Sequence, residues 1–352
     1  MLNHTAERFA DRYSRQIRFA PIGQEGQRKL LNSTALIVGC GALGASLAQH
    51  LTRAGVGRLR IADRDYVEPS NLQRQVLFHE ADALAALPKA VAAAEKLRGM
   101  NSGIHIDAFV TDVNRHTLGP LIEGADIVLD GTDNAATRLL LSDACYERGI
   151  PFIYGGVTGA EGMSAVLVPG ETACLRCLIG DEEAGGDGES CDTAGVLSAA
   201  VEFTASLQAI ESVKYLTGNR SALRGSWVAA DLWRFSLREL QLPKPSESCS
   251  HCGTTPAETS IHVGGPSYPV TLCGRDTVQV TLDEPLELDR MREWFSRLGC
   301  EVVSNRYLMK AMLSPDHRFV LFPDGRILVQ GTSDPEEAMR LCRRLLPAGA
   351  LR

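Results

Sequence analysis

ALIVGCGALG at residues 35–44 and RLRIAD at 58–63 decide the fold. The first opens as a short apolar run, ends in glycines, and continues into leucines at 43, 47 and 51, the i, i+4 spacing of one helical face. Gly55 and Gly57 close that helix, as glycine commonly does just past a helix end. RLRIA then supplies a second strand ending at Asp63. A β-α-β unit of this length pairs its strands in parallel through a right-handed crossover. Working outward, IHIDAFV (104–110) and DIVLD (126–130) add strands, and an alanine-rich helix at 88–98 and a polar-faced helix at 135–148 alternate with them. This alternation predicts a doubly wound, mostly parallel α/β sheet.

PFIYGG (151–156) and MSAVLV (163–168) follow each other across a short glycine-bearing loop, so the sheet is expected to turn antiparallel at its edge. A long helix at 196–217 and strands near 226–231 and 233–240 complete a first domain over 1–253. Within it, GDEEAGGDGES (180–190) is acidic and lacks apolar anchors, which reads as a mobile surface loop. Pro/Ser/Thr-rich sequence marks a linker at 254–262. TVQVTL, a helix at 286–298, YLMKAML, RFVLF, RILVQ and a helix at 334–346 then outline a small C-terminal α+β domain over 263–352.

Composition narrows the class of function. Lysines and arginines number 36 against 43 acids, and the net charge of −7 argues against nucleic acid or an acidic membrane as partner. With 44% hydrophobic and 22% charged residues the chain is too apolar for disorder, and no apolar run approaches the roughly 18 residues of a membrane helix. The amino end has no apolar stretch behind its charges, so it does not read as a secretory signal. Ten cysteines, some clustered, in such a chain point to a reducing, cytoplasmic setting where they bind metal or do chemistry rather than pair as disulfides.

Gly39-x-Gly41-x-x-Gly44 lies between strand and helix, where the backbone can close on a phosphate and the helix N-terminus offers unpaired N–H groups. Asp63, nineteen residues after Gly44, is placed to accept from ribose hydroxyls. Taken alone, these residues say only that a nucleotide binds, with an NAD-dependent oxidoreductase as the default. The next stretch, Asp65 to Gln75, sets Ser70, Asn71, Gln73 and Arg74 just after the second strand, and Pro88-Lys89 opens the following helix. An arginine and a lysine beside the glycine turn suit a triphosphate better than a nicotinamide slot. Asp133 and Asn134 follow the strand at 126–130, at the carboxyl ends where ligands bind in such sheets, and Asp133 is a candidate for Mg2+. Each of these residues also has a plain reading, as a solvated cation or a helix cap.

Cys174-x-x-Cys177 and Cys249-x-x-Cys252 supply the four thiolates of a closed tetrahedral Zn2+ site, with redox dithiols as the rival. His251, inside the second pair, is a spare donor. Such a structural site contributes on the order of 10 kcal/mol. Cys191 precedes the helix expected near Val196, where a thiol tends toward the nucleophilic thiolate. Cys273, beside Arg275, is a weaker second candidate, and Cys40, Cys145, Cys300 and Cys342 read as packing residues.

Together RYSRQI (12–17), VGCGALG (38–44), AGVGRLRIADRD (54–65), SNLQRQ (70–75), PKA (88–90), DGTDN (130–134), the two cysteine knuckles and CDTAGVL (191–197) resemble the MoeB/ThiF adenylyltransferases, bacterial relatives of the ubiquitin-activating enzymes. The likeness runs from about residue 12 to 253. It implies a Rossmann-like ATP-binding fold and a homodimer. The implied reaction joins the C-terminal Gly-Gly carboxylate of a small ubiquitin-like sulfur-carrier protein to the α-phosphate of Mg·ATP. Pyrophosphate leaves, and a sulfurtransferase donor then completes a thiocarboxylate for thiamine or molybdopterin biosynthesis. By position in the motifs, Asp63 would hold the ribose, Asp65, Ser70, Asn71, Gln73, Arg74, Lys89 and Asn134 would line the nucleotide, and Asp133 would bind the metal. Arg15 would reach ATP from the partner subunit, and Cys191 would be the crossover-loop cysteine that carries sulfur or an acyl group in some members. Ala42 stands where many members have a second glycine. The C-terminal domain lacks a rhodanese active-site loop, and docking of the carrier or support of the dimer is its expected role. Activation of another ubiquitin-like protein or a peptide, and a catalytically silent zinc scaffold, are the remaining alternatives.

Overall fold

The computed structural model describes residues 11–180, 195–253, 269–271 and 276–347 and divides into two compact units, Met1–Ser260 and Ile261–Arg352. The expected linker at 254–262 lies outside the described residues, as do Cys191, Cys273 and most of the acidic loop.

In the first unit the strands are β1 (Thr34–Val38), β2 (Arg58–Asp63), β3 (His105–Val110), β4 (Ile127–Asp130), β5 (Phe152–Thr158), β6 (Glu161–Leu167), β7 (Ser226–Asp231) and β8 (Ser236–Gln241). They form one sheet in the order β3-β2-β1-β4-β5-β6-β7-β8. Pairing is parallel from β3 to β5, with Thr34 opposite Arg58 and Ala35 opposite Ile127, and antiparallel from β5 onward, with Phe152 opposite Leu167. The doubly wound sheet with an antiparallel edge is therefore present.

Its main helices are α1 (Gly23–Leu31), α2 (Ala42–Ala54), α3 (Lys89–Met100), α4 (Ala135–Arg148), α5 (Leu175–Ile179) and α6 (Ser198–Leu216). Side chains alternate across a strand, so β1 feeds two cores. Ala35 and Ile37 pack with Leu47 and Leu51 of α2, Leu97 of α3 and Ala205 of α6, and Leu36 and Val38 pack on the other face with Leu139 and Leu141 of α4. Each fully buried leucine contributes about 2 kcal/mol over leaving it exposed. Helix α2 stops where Gly55 takes a left-handed φ of 83°, and a side chain there would strike the Tyr13 ring.

The second unit holds β9 (Val270–Thr271), β10 (Thr277–Thr281), helix α7 (Leu288–Arg297), β11 (Glu301–Ser304), β12 (Met309–Met312), β13 (Arg318–Leu321), β14 (Arg326–Gln330) and helix α8 (Pro335–Leu345). The sheet is antiparallel in the order β11-β12-β13-β14-β10-β9, and Phe295 of α7 and Leu341 of α8 share a core with Phe319, Ile327 and Val329. Two strands, β9 and β11, and, among the helices named here, α1 and the five-residue α5 were not anticipated. β9 and β11 are short edge strands with no fully buried residue, and α1 reads GQEGQRKLL, whose two glycines and polar majority hide its buried stripe of Gln27 and Leu30.

Candidate active site and thiol cluster

The glycine turn is shaped by its own backbone. Gly39 has a φ of 84°, and a Cβ on Gly44 would lie 1.8 Å from the Gly39 carbonyl oxygen. Those two glycines are required by the fold. Gly41 differs, because a Cβ there would meet only Gln75 Nε2, at 4.0 Å. Its open side faces the amino end of α2, which is space for an anion at a helix N-terminus. Gly41→Ala is therefore expected to raise the KM for ATP roughly ten-fold, the cost of one charge-assisted hydrogen bond, with little change in Tm. Gly44→Ala should leave no folded protein. A Gly41→Ala enzyme with a normal KM would show that nothing approaches that face.

Asp63 and Asp65 end β2 beside this turn. Asp63 Oδ2 accepts from Cys40 N–H at 2.5 Å and its Oδ1 from Asp65 N–H at 2.6 Å, which leaves each oxygen a further lone pair. Burial pushes the Asp63 carboxyl up, and Lys89 works against that. Lys89 is only 3% exposed, with Nζ 3.1 Å from Asp65 Oδ2. A lysine is buried in this way only when anions face it. Arg74 Nη1 donates to the Ser70 carbonyl at 3.0 Å, and Ser70 and Gln73 are exposed. Asn71 is buried and serves its own loop, accepting from Glu68 N–H at 3.1 Å.

On the β4 side, Asp133 is exposed and Asn134 caps α4 by accepting from Thr137 N–H at 2.9 Å. The plain cap reading thus holds for the carbonyl oxygen of Asn134. Ala42, the first residue of α2, packs against the core and does not block the turn.

Three neighbours escaped the sequence reading. Gln75, buried with Oε1 unpartnered, lines the glycine turn. Arg138 braces the DGTDN loop, its Nε 3.0 Å from buried Asp130 and its Nη2 donating to the Thr132 carbonyl at 2.7 Å. Arg64, ion-paired with Asp112 at 3.1 Å, is held charged by Asp65, Asp112 and Asp133 although burial opposes it. Gln75 lies in the quoted SNLQRQ motif and Arg64 in AGVGRLRIADRD, whereas Arg138 lies in none of the quoted motifs.

Arg15 stands apart from this cluster. Its neighbours face inward: the Tyr13 hydroxyl accepts from Asn101 Nδ2 at 2.8 Å, and Gln16 Nε2 donates to the Ala54 carbonyl at 2.9 Å. Arg15 between them is exposed. Ala54 ends α2, whose first turn carries the glycine loop, and a helix of this length spans about 20 Å. An arginine side chain cannot cover that distance to its own site.

The two cysteine knuckles meet. Cys174 Sγ lies 3.9 Å from Cys177 Sγ and 3.8 Å from Cys249 Sγ, and Cys177 Sγ lies 3.7 Å from Cys252 Sγ. All four sulfurs fall within 4.8 Å of one another. A tetrahedron with Zn–S bonds of about 2.3 Å has S···S edges of about 3.8 Å, whereas a disulfide needs about 2.05 Å, so the donor set fits zinc. His251 turns away toward Asp143, Nδ1 to Oδ1 3.3 Å. Burial pushes the Cys40 and Cys145 thiols well above their ordinary range and Cys342 up to about 12, as packing residues require.

A doubly wound sheet with a glycine turn and buried lysine at its carboxyl edge defines a nucleotide-using α/β enzyme. The family model described as ThiF family matches residues 13–251, and the chain belongs to that family and is a nucleotidyltransferase like its named adenylyltransferase relatives. The sulfur carrier protein ThiS adenylyltransferase of Bacillus subtilis is 42% identical over 328 residues, 92% of this chain and 95% of the relative; that alignment extends into the second unit. The SAMP-activating enzyme E1 of Haloferax volcanii is 37% identical over 69% of this chain and 88% of its own length. The adenylyltransferase and sulfurtransferase MOCS3 of Sus scrofa is 37% identical over 71% of this chain but only 54% of its own length. Among solved structures, E. coli MccB shares the fold, with a TM-score of 0.61 at 23% identity over 72% of this chain and 75% of its own. Among the described residues no helix is long and apolar enough to cross a membrane.

Proposed function

We propose that this enzyme adenylylates the C-terminal Gly-Gly carboxylate of a small ubiquitin-like sulfur-carrier protein, using ATP and releasing pyrophosphate. The product leads to the thiocarboxylate used in thiamine or molybdopterin biosynthesis. The observation that carries this reading is the buried Lys89 between the glycine turn and the Asp63–Asp65 pair, supported by the names of the relatives. The incoming carboxylate is already ionised at neutral pH, so no general base is needed. Attack on the α-phosphorus adds negative charge to the nonbridging oxygens, and in this reading Lys89 and Arg74 would neutralise it. Gly41 and the first turn of α2 offer N–H groups to the phosphates, and the free lone pairs of Asp63 suit ribose hydroxyls. Exposed Asp133 would hold Mg2+, which supplies charge neutralisation of the leaving pyrophosphate.

A homodimer is part of the proposal, with Arg15 serving the partner's site. Arg15 is fixed about 20 Å from its own glycine turn, and a second copy would bring it to a neighbouring site. Cys191 is the proposed acceptor for sulfur from a sulfurtransferase donor, and the thiol quartet is the proposed structural zinc centre.

Carrier-dependent exchange of labelled pyrophosphate into ATP tests the reading. Exchange should require a Gly-Gly-ended carrier, and Arg74→Ala should remove it while zinc stays near one per chain. Exchange without a carrier, or nicotinamide binding in its place, refutes the assignment.

A further inference from the structure

The residues between the paired cysteines converge on one carboxylate. Arg176, inside the first knuckle, donates from Nε to Asp143 Oδ1 at 3.0 Å and from Nη2 to Asp143 Oδ2 at 2.8 Å. His251, inside the second knuckle, places Nδ1 3.3 Å from Asp143 Oδ1. The two knuckles come from chain segments separated by 71 residues, and Asp143 belongs to neither. It lies on α4, as do two further contacts. Ser142 Oγ accepts from Leu175 N–H at 3.1 Å, and the Tyr146 hydroxyl donates to the Ala173 carbonyl at 2.7 Å. Residues 142, 143 and 146 are neighbours on one helical face, so a single stripe of α4 grips the first knuckle from both sides.

We propose that Asp143 is a positioning residue that holds the two knuckles in register and binds the metal centre to α4, the helix whose first turn carries Asn134 and adjoins Asp133. The reasoning is electrostatic and geometric. A bidentate arginine pair fixes orientation as well as distance. Here it fixes the backbone from which Cys174 and Cys177 project, and the imidazole arm does the same for Cys249 and Cys252. The His251 backbone N–H also donates to Cys249 Sγ at 3.4 Å. Asp143 thus acts through the cysteines' own backbone, so that the four sulfurs stand near a tetrahedron before any ion is captured. This inference rests on the zinc assignment above, and goes beyond it in naming what pre-forms the site.

The test is zinc release from the full-length chain to a chromophoric chelator, with total zinc measured alongside. Asp143→Ala should release zinc roughly 10- to 100-fold faster, the usual effect of losing an outer partner of a metal site. Arg176→Gln and His251→Ala, which each remove one arm and spare the carboxylate, should release it at intermediate rates and cover the case in which Asp143→Ala does not fold. Adding His251→Ala to Asp143→Ala should change the rate no further, a non-additivity that a general loss of stability does not produce. Amide exchange across 132–138 should quicken in Asp143→Ala with zinc still bound. Release within two-fold of the wild type in all three single variants overturns the proposal. Wild-type protein purified without zinc removes the metal assignment and this inference with it, which separates the two failures.

Discussion

Lys89→Ala should lower carrier-dependent pyrophosphate exchange at least about 10³-fold, the scale of losing a preorganised charge at a reacting oxyanion. It should also lower stability by about 3–5 kcal/mol. Both losses come from one position because Lys89 is nearly inaccessible and its Nζ lies against Asp65. Removing it leaves the buried Asp63 carboxylate beside the partly buried Asp65 with no cation between them, and Asp63, already pushed up by burial, loses the charge that opposes that shift. The double variant Lys89→Ala/Asp65→Asn should recover much of the stability and none of the exchange. That pattern separates the structural duty of the ion pair from the phosphate duty of the ammonium. Exchange within ten-fold of wild type in Lys89→Ala would place the reacting phosphate elsewhere.

Removing the metal is the second large effect. Cys174→Ser, or prolonged chelation, should take zinc from about one per chain to none and cost on the order of 5 kcal/mol or more, since metal-binding energy in a closed thiolate site is folding energy. Cys174 is fully buried where α5 begins, and its sulfur is within 4 Å of two others. Serine there leaves three thiolates with no closed tetrahedron. Thermal unfolding with and without added zinc, read beside metal content, measures the effect. A Cys174→Ser protein that keeps its zinc and its Tm would mean that the four sulfurs meet for another reason.

The parts of this molecule that were legible in the sequence are those written in short-range periodicity. β1 and α2 announce themselves through an apolar run, glycines and the leucines at 43, 47 and 51, because a strand buried on both faces followed by an amphipathic helix leaves little else those residues can do. The antiparallel edge was legible because Gly159 and its neighbours leave no room for a crossover between β5 and β6. The short edge strands were not, since a four-residue strand such as Glu301–Ser304 buries too little to impose a pattern on its sequence. At the site, Asp63, Arg74, Lys89 and Asp133 stood out as motif members. Gln75, though inside SNLQRQ, was given no role, and Arg138 and Asp143 lie in no quoted motif, because the contacts that single them out reach partners 34, 8 and 33 residues away: Gly41, Asp130 and Arg176. Such partners are set by the sheet order and not by local spacing. Asn134, also a motif member, caps α4 with its carbonyl oxygen.

The chain just after Cys191, from Gly195 onward, is anchored to the sheet. The Gly195 carbonyl accepts from Gly159 N–H at 2.9 Å, and Leu197 N–H donates to the Gly159 carbonyl at 2.8 Å. The return point of the segment is therefore fastened to the turn after β5, on the carboxyl edge of the sheet that also bears the glycine loop. Four residues of chain extend at most about 14 Å. By chain length alone, Cys191 therefore lies within that radius of Gly195, which puts the proposed sulfur acceptor within reach of that edge.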